Sequence, residues 1–116
     1  MQVFVYGSLK KGYALHHLLA EEQFVGLAQT QPFYRIYDLG EYPGLIDVPD
    51  GLEINGEVYS VSNEAMKRLD FAEGVADGLY ARRGILLKPP FEHVVVDAWF
   101  WLKSVRGCRN CGTSWP

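Results

Sequence analysis

Apolar residues come along this chain in short runs cut by glycine, proline and asparagine, a pattern of strands joined by turns rather than of long helices. Val3-Phe4-Val5 is the first such run. It is β-branched and aromatic, stops at Gly7-Ser8, and reads as a buried strand feeding a tight loop. Phe24 to Thr30 and Phe33 to Leu39 are two more runs, split by Pro32, after which Glu41-Tyr42-Pro43-Gly44 makes a turn. Leu45 to Val48 is a short strand closed by Pro49-Asp50-Gly51, and Ile54 to Val61 continues the series. Leu79 to Leu87 and Val94 to Leu102 flank Pro89-Pro90. In the last run Val94, Val96, Ala98, Phe100 and Leu102 share one face, and Val95, Asp97, Trp99 and Trp101 the other. Both faces are largely apolar, which predicts a covered central strand in which Asp97 pairs with an arginine.

Helical spacing appears twice. Tyr13 to Gln23 places Leu15, Leu18, Leu19 and Glu22 along one stripe, predicting a short amphipathic helix with His16 and His17 beside it. Ser62-Asn63 are good N-caps for a helix through Phe71 whose buried face is Ala65, Met66 and Leu69. Asp70 and Glu73 close that helix just before Gly74, where acidic groups oppose the helix dipole. Strands this closely spaced suggest a hairpin-rich, barrel-like sheet with few exposed edges.

With 116 residues and a net charge of −3, the chain fits one domain with one core. Residues 1–104 are expected to form it, with 105–116 as a C-terminal tail. A pI near 5.5 and the lack of a basic block argue against a nucleic-acid partner, and Lys10-Lys11 and Arg82-Arg83 read as solvated faces. No apolar run approaches the length of a membrane span, and the N-terminus lacks a secretory pattern. A soluble, cytoplasmic protein, monomeric or weakly homo-oligomeric, is expected. Cys108 and Cys111 form Cys-Arg-Asn-Cys near the end, with too little chain after them for a thioredoxin-like site. A zinc site needs four ligands; His16, His17 and His93 can add one or two, but adjacent histidines on a helix point about 100° apart. A reduced, mobile tail with dispensable cysteines is the expectation.

The candidate chemistry begins at the first loop. Glycine lets a ligand approach the backbone, so the N–H groups of Gly7, Ser8 and Leu9 can converge on an anion or a carbonyl oxygen; a plain turn is the alternative. Gly7 and Gly12 have P-loop spacing, but Tyr13 and Ala14 stand where that motif needs Lys and Ser or Thr, so a nucleotide site is rejected. Either His16 or His17 can face this loop, or both can be ordinary solvated histidines.

The order of motifs is more specific than any one of them. Tyr6-Gly7-Ser8-Leu9 and Lys10-Lys11-Gly12 are followed by Asp38-Leu39-Gly40, Tyr42-Pro43-Gly44-Leu45-Ile46, Gly56-Glu57-Val58-Tyr59, Leu69-Asp70, Glu73-Gly74 and Tyr80-Ala81-Arg82. From about Val3 to Leu102 the chain resembles the γ-glutamylcyclotransferase-like superfamily, and within it the γ-glutamylamine cyclotransferase branch. The resemblance implies an α+β fold, a small mixed β-barrel with short flanking helices. It implies that the loop Tyr6, Gly7, Ser8 and Leu9 binds substrate and that Glu73 is the catalytic base. The branch commonly has Thr where this chain has Ser8, a change that keeps the backbone donors.

A γ-glutamyl compound carries its own nucleophile, the α-amine, which closes on the γ-carbonyl to give 5-oxoproline and an amine. No cofactor is needed. The enzyme supplies an ordered, folded-back substrate, a base, and donors for the developing oxyanion. The loop donors can hold either the substrate carboxylate or the oxyanion, and Tyr6 and Tyr80 shape the pocket. The partner is then a small γ-glutamyl molecule whose leaving amine the sequence does not identify. A non-catalytic ligand-binding or interaction domain of the same fold is the alternative, and the presence of Glu73 weighs against it.

Overall fold

A computed structural model describes all residues 1–116. The element order is β1 (Gln2–Val5), a 3-10 turn (His16–Leu19), β2 (Gln23–Gln29), β3 (Tyr34–Asp38), β4 (Pro43–Asp47), β5 (Asn55–Ser60), α1 (Asn63–Ala72), β6 (Tyr80–Gly84), β7 (Val96–Trp101) and β8 (Arg109–Asn110). Five strands form one sheet in the order β2-β5-β1-β7-β6, and β4-β3-β8 form a second. In the larger sheet β1 lies antiparallel to β5 and parallel to β7, with Val3 opposite Asp97. The fold is α+β.

Alternation along β1 and β7 explains the layers. Phe4, Val96, Ala98 and Phe100 point to one side and pack with Ile36, Leu45 and Tyr34 of the smaller sheet. Val3, Val5 and Trp99 point to the other and meet Ala65, Met66 and Leu69 of α1. Both faces of the central strands are therefore buried, as the two-sided apolar pattern of β7 predicted. The same periodicity that makes α1 amphipathic makes it the lid on one face. Its start follows from Ser62, whose hydroxyl accepts the Ala65 N–H at 3.1 Å.

Several expectations need correction. No sheet closes into a barrel: past their ends β2 and β6 are joined only by an isolated bridge between Thr30 and Leu87. Pro32, Pro89 and Pro90 stand beside that bridge and have no N–H with which to extend a ladder. The helix expected over Tyr13 to Gln23 is a single 3-10 turn, because Tyr13, His16 and Leu18 each donate three residues back, to Lys10, Tyr13 and Leu15. The strands expected over Leu79 to Leu87 and Val94 to Leu102 are shorter, and Pro43 opens β4 rather than lying within a turn.

The segment expected to be a mobile tail folds back on the molecule. Arg109 and Asn110 pair with Asp38 and Tyr37, and an Arg109–Asp38 ion pair at 3.1 Å holds the same edge. Cys111 N–H donates to the Ile36 carbonyl, Asn55 N–H to that of Thr113, and Trp115 is buried in the core. Burial of its large aromatic ring stabilises the docked segment and, with these bonds, opposes the entropy lost on ordering it. Cys108 and Cys111 are free thiols, each half-buried. No helix is long and apolar enough to cross a membrane.

Candidate functional site

The loop after β1 and the end of α1 meet at one cleft, although they are far apart in sequence. Tyr6, Gly7, Ser8 and Leu9 line one side, and Glu73 and Tyr80 lie in the same cleft. All six residues singled out from the sequence are thus brought together. Phe4, Val5 and Trp99 form its floor, and Tyr42 and Pro43 come from the smaller sheet.

Gly7 is needed for a reason other than its φ angle. A side chain there would place its Cβ 2.5 Å from Cγ of Pro43, so the loop packs against β4 only because it lacks one. The N–H groups of Gly7, Ser8 and Leu9 donate to no backbone acceptor. Three successive free donors on the wall of a cleft make a cradle for an anion or a polarised oxygen.

Glu73 is held by the way α1 stops. It is the C-cap, and Gly74 follows in the left-handed region at φ 65°. Gly74 N–H donates to Phe71 and Val75 N–H to Asp70, both at 3.1 Å, the paired bonds of a glycine-terminated helix. The helix therefore turns away immediately after Glu73 and leaves its carboxyl at the cleft. There burial, and then the nearby Asp70 carboxylate, push its pKa up from 4.5 to about 7. No hydrogen bond to the carboxyl opposes that rise.

Asp70 and Glu73, equivalent in the sequence pattern, have separate fates. Asp70 accepts from Nε of Arg82 at 3.0 Å and from Nε1 of Trp99 at 2.9 Å, while Arg82 Nη1 reaches Asp97 at 2.7 Å. One guanidinium thus bridges two carboxylates, and Asp97 finds the arginine expected for it. Hydrogen bonds to both aspartates raise the pKa of Arg82, which stays charged. The cluster keeps one negative charge uncompensated beside Glu73.

Tyr6 and Tyr80 are buried, and each hydroxyl donates at 2.7 Å to a backbone carbonyl, of Trp99 and Pro43 respectively. With their protons so used, the phenol oxygens can offer the cleft only lone pairs. Burial raises both pKa values; next in weight is Tyr80 for Tyr6 and Glu73 for Tyr80, so both remain neutral phenols. Tyr80 also stacks edge-on to Trp101 at 5.0 Å, with Tyr42 6.4 Å from both. The sequence reading gave Tyr42, Pro43 and Trp99 no place in the site. Tyr42 and Pro43 reach it through the packing of the two sheets and Trp99 through the pairing of β7 with β1, long-range contacts that no local pattern encodes.

His16 and His17 do not line the cleft. His16 lies behind the loop, with Nδ1 3.0 Å from the Leu9 carbonyl, and His17 turns to the Ala14 carbonyl at 3.2 Å. Nowhere do three His, Cys, Asp or Glu side chains gather as metal ligands. Burial raises the pKa of the Cys111 thiol.

The chain matches the family model of gamma-glutamyl cyclotransferase, AIG2-like, over residues 3–115. It is 42% identical over 73 residues to a gamma-glutamylcyclotransferase homologue of Vibrio cholerae, covering 63% of this chain and 62% of that one. It is 38% identical over 94 residues to gamma-glutamylaminecyclotransferase C of Danio rerio, covering 74% and 61%. The chain therefore spans less than two thirds of the length of either relative. The solution structure of YtfP from Escherichia coli superimposes with a TM-score of 0.73 at 29% identity, covering 99% of this chain and 95% of that one. The family match runs from β1 through the buried Trp115 and so takes in both sheets, the helix and the whole cleft: the chain belongs to the gamma-glutamyl cyclotransferase, AIG2-like family.

Proposed function

We propose that this chain cyclises a γ-glutamyl amine to 5-oxoproline and releases the free amine, with Glu73 as the base. The observation that carries the reading is the pairing, in one cleft, of an unbonded carboxyl with a pKa of about 7 and three free backbone donors. A carboxylate of ordinary acidity is a poor acceptor for an ammonium proton, and raising its pKa towards 7 lessens that mismatch while leaving it ionised near neutrality.

Glu73 takes a proton from the α-ammonium of the substrate. The freed nitrogen attacks the γ-carbonyl carbon, and the new C–N bond closes the five-membered ring while the carbonyl electrons move onto oxygen. As the oxyanion collapses, the bond to the leaving nitrogen breaks and that nitrogen takes the proton from Glu73; the ring nitrogen sheds its second proton to the freed carboxylate, which passes it to the departing amine, so the amine leaves as an ammonium. The carboxylate is restored and no cofactor enters the balance. The cradle serves the α-carboxylate or the oxyanion, and the phenol oxygens of Tyr6 and Tyr80 accept from the ammonium. The open volume of the cleft is about 20 Å³, little more than a water requires. Admission of the γ-glutamyl arm therefore needs a wall to give, and Tyr42, the one exposed lining side chain at 39%, is placed to do so.

An amine leaving group is favoured over a peptide such as that of glutathione because no Lys or Arg lines the cleft to meet an unpaired carboxylate, and the carboxylate of an ε-linked lysine sits beside its own ammonium at the far end of the side chain. The name of the zebrafish relative points the same way. The test is 5-oxoproline release from γ-glutamyl-ε-lysine, with glutathione and γ-glutamyl-alanine alongside. Turnover of the lysine compound in preference to the others is expected. Release from none of them overturns the reading in favour of a non-catalytic binding domain.

A further inference from the structure

The donors that face the cleft are aimed from behind. A trans peptide points its N–H and its C=O in opposite directions, so holding the carbonyl at the back directs the N–H to the front. Leu9 N–H shares a peptide with the Ser8 carbonyl, which accepts from Leu15 N–H at 2.8 Å. Ser8 N–H shares one with the Gly7 carbonyl, which accepts from Lys10 N–H at 3.0 Å. That Lys10 N–H belongs to the peptide whose carbonyl, on Leu9, is bonded to Nδ1 of His16 at 3.0 Å. The series runs from His16 through two peptide units to the free N–H of Ser8, and its outermost link is its one side chain.

A carbonyl has no proton to give, so Nδ1 of His16 carries the hydrogen. Its ring is half-buried and tilted against Tyr59, with centroids 5.8 Å apart. It lines a groove on the far side of the loop together with Lys11 and Glu57. Glu57 Oε1 accepts both the Lys11 N–H at 2.9 Å and the Tyr59 hydroxyl at 3.0 Å, so the neighbours that orient the ring are themselves tied down.

From this geometry we infer that His16 is a positioning residue: by donating from Nδ1 to the Leu9 carbonyl it fixes the peptide units that present the Ser8 N–H to a substrate oxygen. It exchanges no proton with the substrate. The bond also polarises the series, since each acceptor in a chain of hydrogen bonds becomes a better donor at its other end. The inference rests on the reading that the cleft binds a γ-glutamyl group.

His16→Phe keeps a ring against Tyr59 and removes the donor, whereas His16→Asn returns an amide N–H to the place of Nδ1. The Phe variant is expected to fold with an unchanged circular dichroism spectrum and to lose about tenfold in kcat/KM for 5-oxoproline release, the worth of one hydrogen bond to a developing or full charge. The Asn variant recovers most of that loss. In both, the acid limb of the pH profile stays where it is in the wild type, because the groups around Glu73 are untouched. His17→Phe, which leaves the loop alone, turns over like wild type. A Phe variant within twofold of wild type, or an Asn variant as impaired as Phe, overturns the inference. Nitrogen-15 spectra of the histidine rings test it without turnover. A proton on Nδ1 of His16, with the Ser8 and Lys10 amide signals displaced in His16→Phe, is expected, and a bare Nδ1 overturns it. If the wild type releases no 5-oxoproline the proposed reaction fails, and these spectra still decide the role of His16.

Discussion

The two halves of the cleft are built in opposite ways. The cradle of Gly7, Ser8 and Leu9 is backbone, and its character comes from donors left without acceptors while their carbonyls are held behind. Glu73 is a side chain without a hydrogen-bond partner, and its character comes from charge and burial around it. A backbone device tolerates changes of side chain and fails when the chain is displaced. A side-chain device tolerates small displacements and fails when its charge or its neighbours' charge is altered. The cleft thus joins one element that is exacting in shape to one that is exacting in electrostatics.

The comparison is tested most severely at Glu73. Glu73→Gln keeps the shape of the side chain and removes its basicity, so 5-oxoproline release should fall by about 10² to 10⁴ while the fold survives. In the wild type kcat/KM should fall as pH drops through about 7, because only the ionised carboxylate accepts the proton. Wild-type rates in the folded Gln variant, measured by 5-oxoproline release, would remove Glu73 from the reaction.

The same substitution should stabilise the protein. A carboxyl whose pKa is raised on folding binds its proton more tightly in the native state, so stability is greatest below the unfolded value and declines as pH rises towards the folded one. A rise from 4.5 to about 7, at about 1.4 kcal/mol per unit, makes the ionised Glu73 cost at most about 3 to 4 kcal/mol above neutrality. Urea melts at pH 8 should therefore show Glu73→Gln more stable than wild type, with the difference gone near pH 4. An equal difference at both pH values would mean that packing, not charge, is responsible.

Much of this arrangement was legible in the sequence. The strand that stops at Gly7-Ser8, the Ser62 cap and the glycine after Glu73 are local signals, and local backbone chemistry decides them. The alternation of β7 showed both its faces buried, since a period of two leaves no other reading. What stayed hidden depends on contacts between distant segments. The Arg82 bridge that distinguishes Asp70 from Glu73 comes from another strand, and the Pro43 ring that demands Gly7 from another sheet. The leucine spacing after Tyr13 has a helical period, yet the backbone there takes the tighter 3-10 bonding. The final segment looked like a tail because its composition is polar, yet pairing with β3, the Arg109–Asp38 ion pair and the buried Trp115 hold it to distant parts of the chain.

Gly7→Ala tests the backbone half by shape alone. Its Cβ would lie 2.5 Å from one Pro43 carbon and 2.7 Å from the next, so either the loop or β4 must move. Overpacking of this kind costs about 1 to 3 kcal/mol, and the displaced donors should lower kcat/KM with no movement of the pH profile. Arg82→Met tests the electrostatic half without touching the cleft. Removing the cation that bridges Asp70 and Asp97 leaves Asp70 uncompensated beside Glu73, so the acid limb should move to higher pH, by up to about one unit. An acid limb that stayed in place would separate Asp70 from the tuning of Glu73.

The smallest effect should come from Ser8, the residue most easily mistaken for a catalytic nucleophile. If the loop acts through its N–H groups, its hydroxyl is dispensable: Ser8→Ala preserves the backbone, and Ser8→Thr adds a methyl to a half-buried position. Both should keep kcat/KM within about threefold, roughly 0.6 kcal/mol, since neither removes a backbone N–H from the cradle. Measured beside Gly7→Ala, the pair separates the two ways a loop can bind a substrate. Ala and Thr near wild type, with Gly7→Ala impaired, is the pattern of a backbone cradle. A large loss in Ser8→Ala restored by Ser8→Thr would instead make the hydroxyl a donor to the substrate, and both halves of the cleft would then depend on side-chain chemistry.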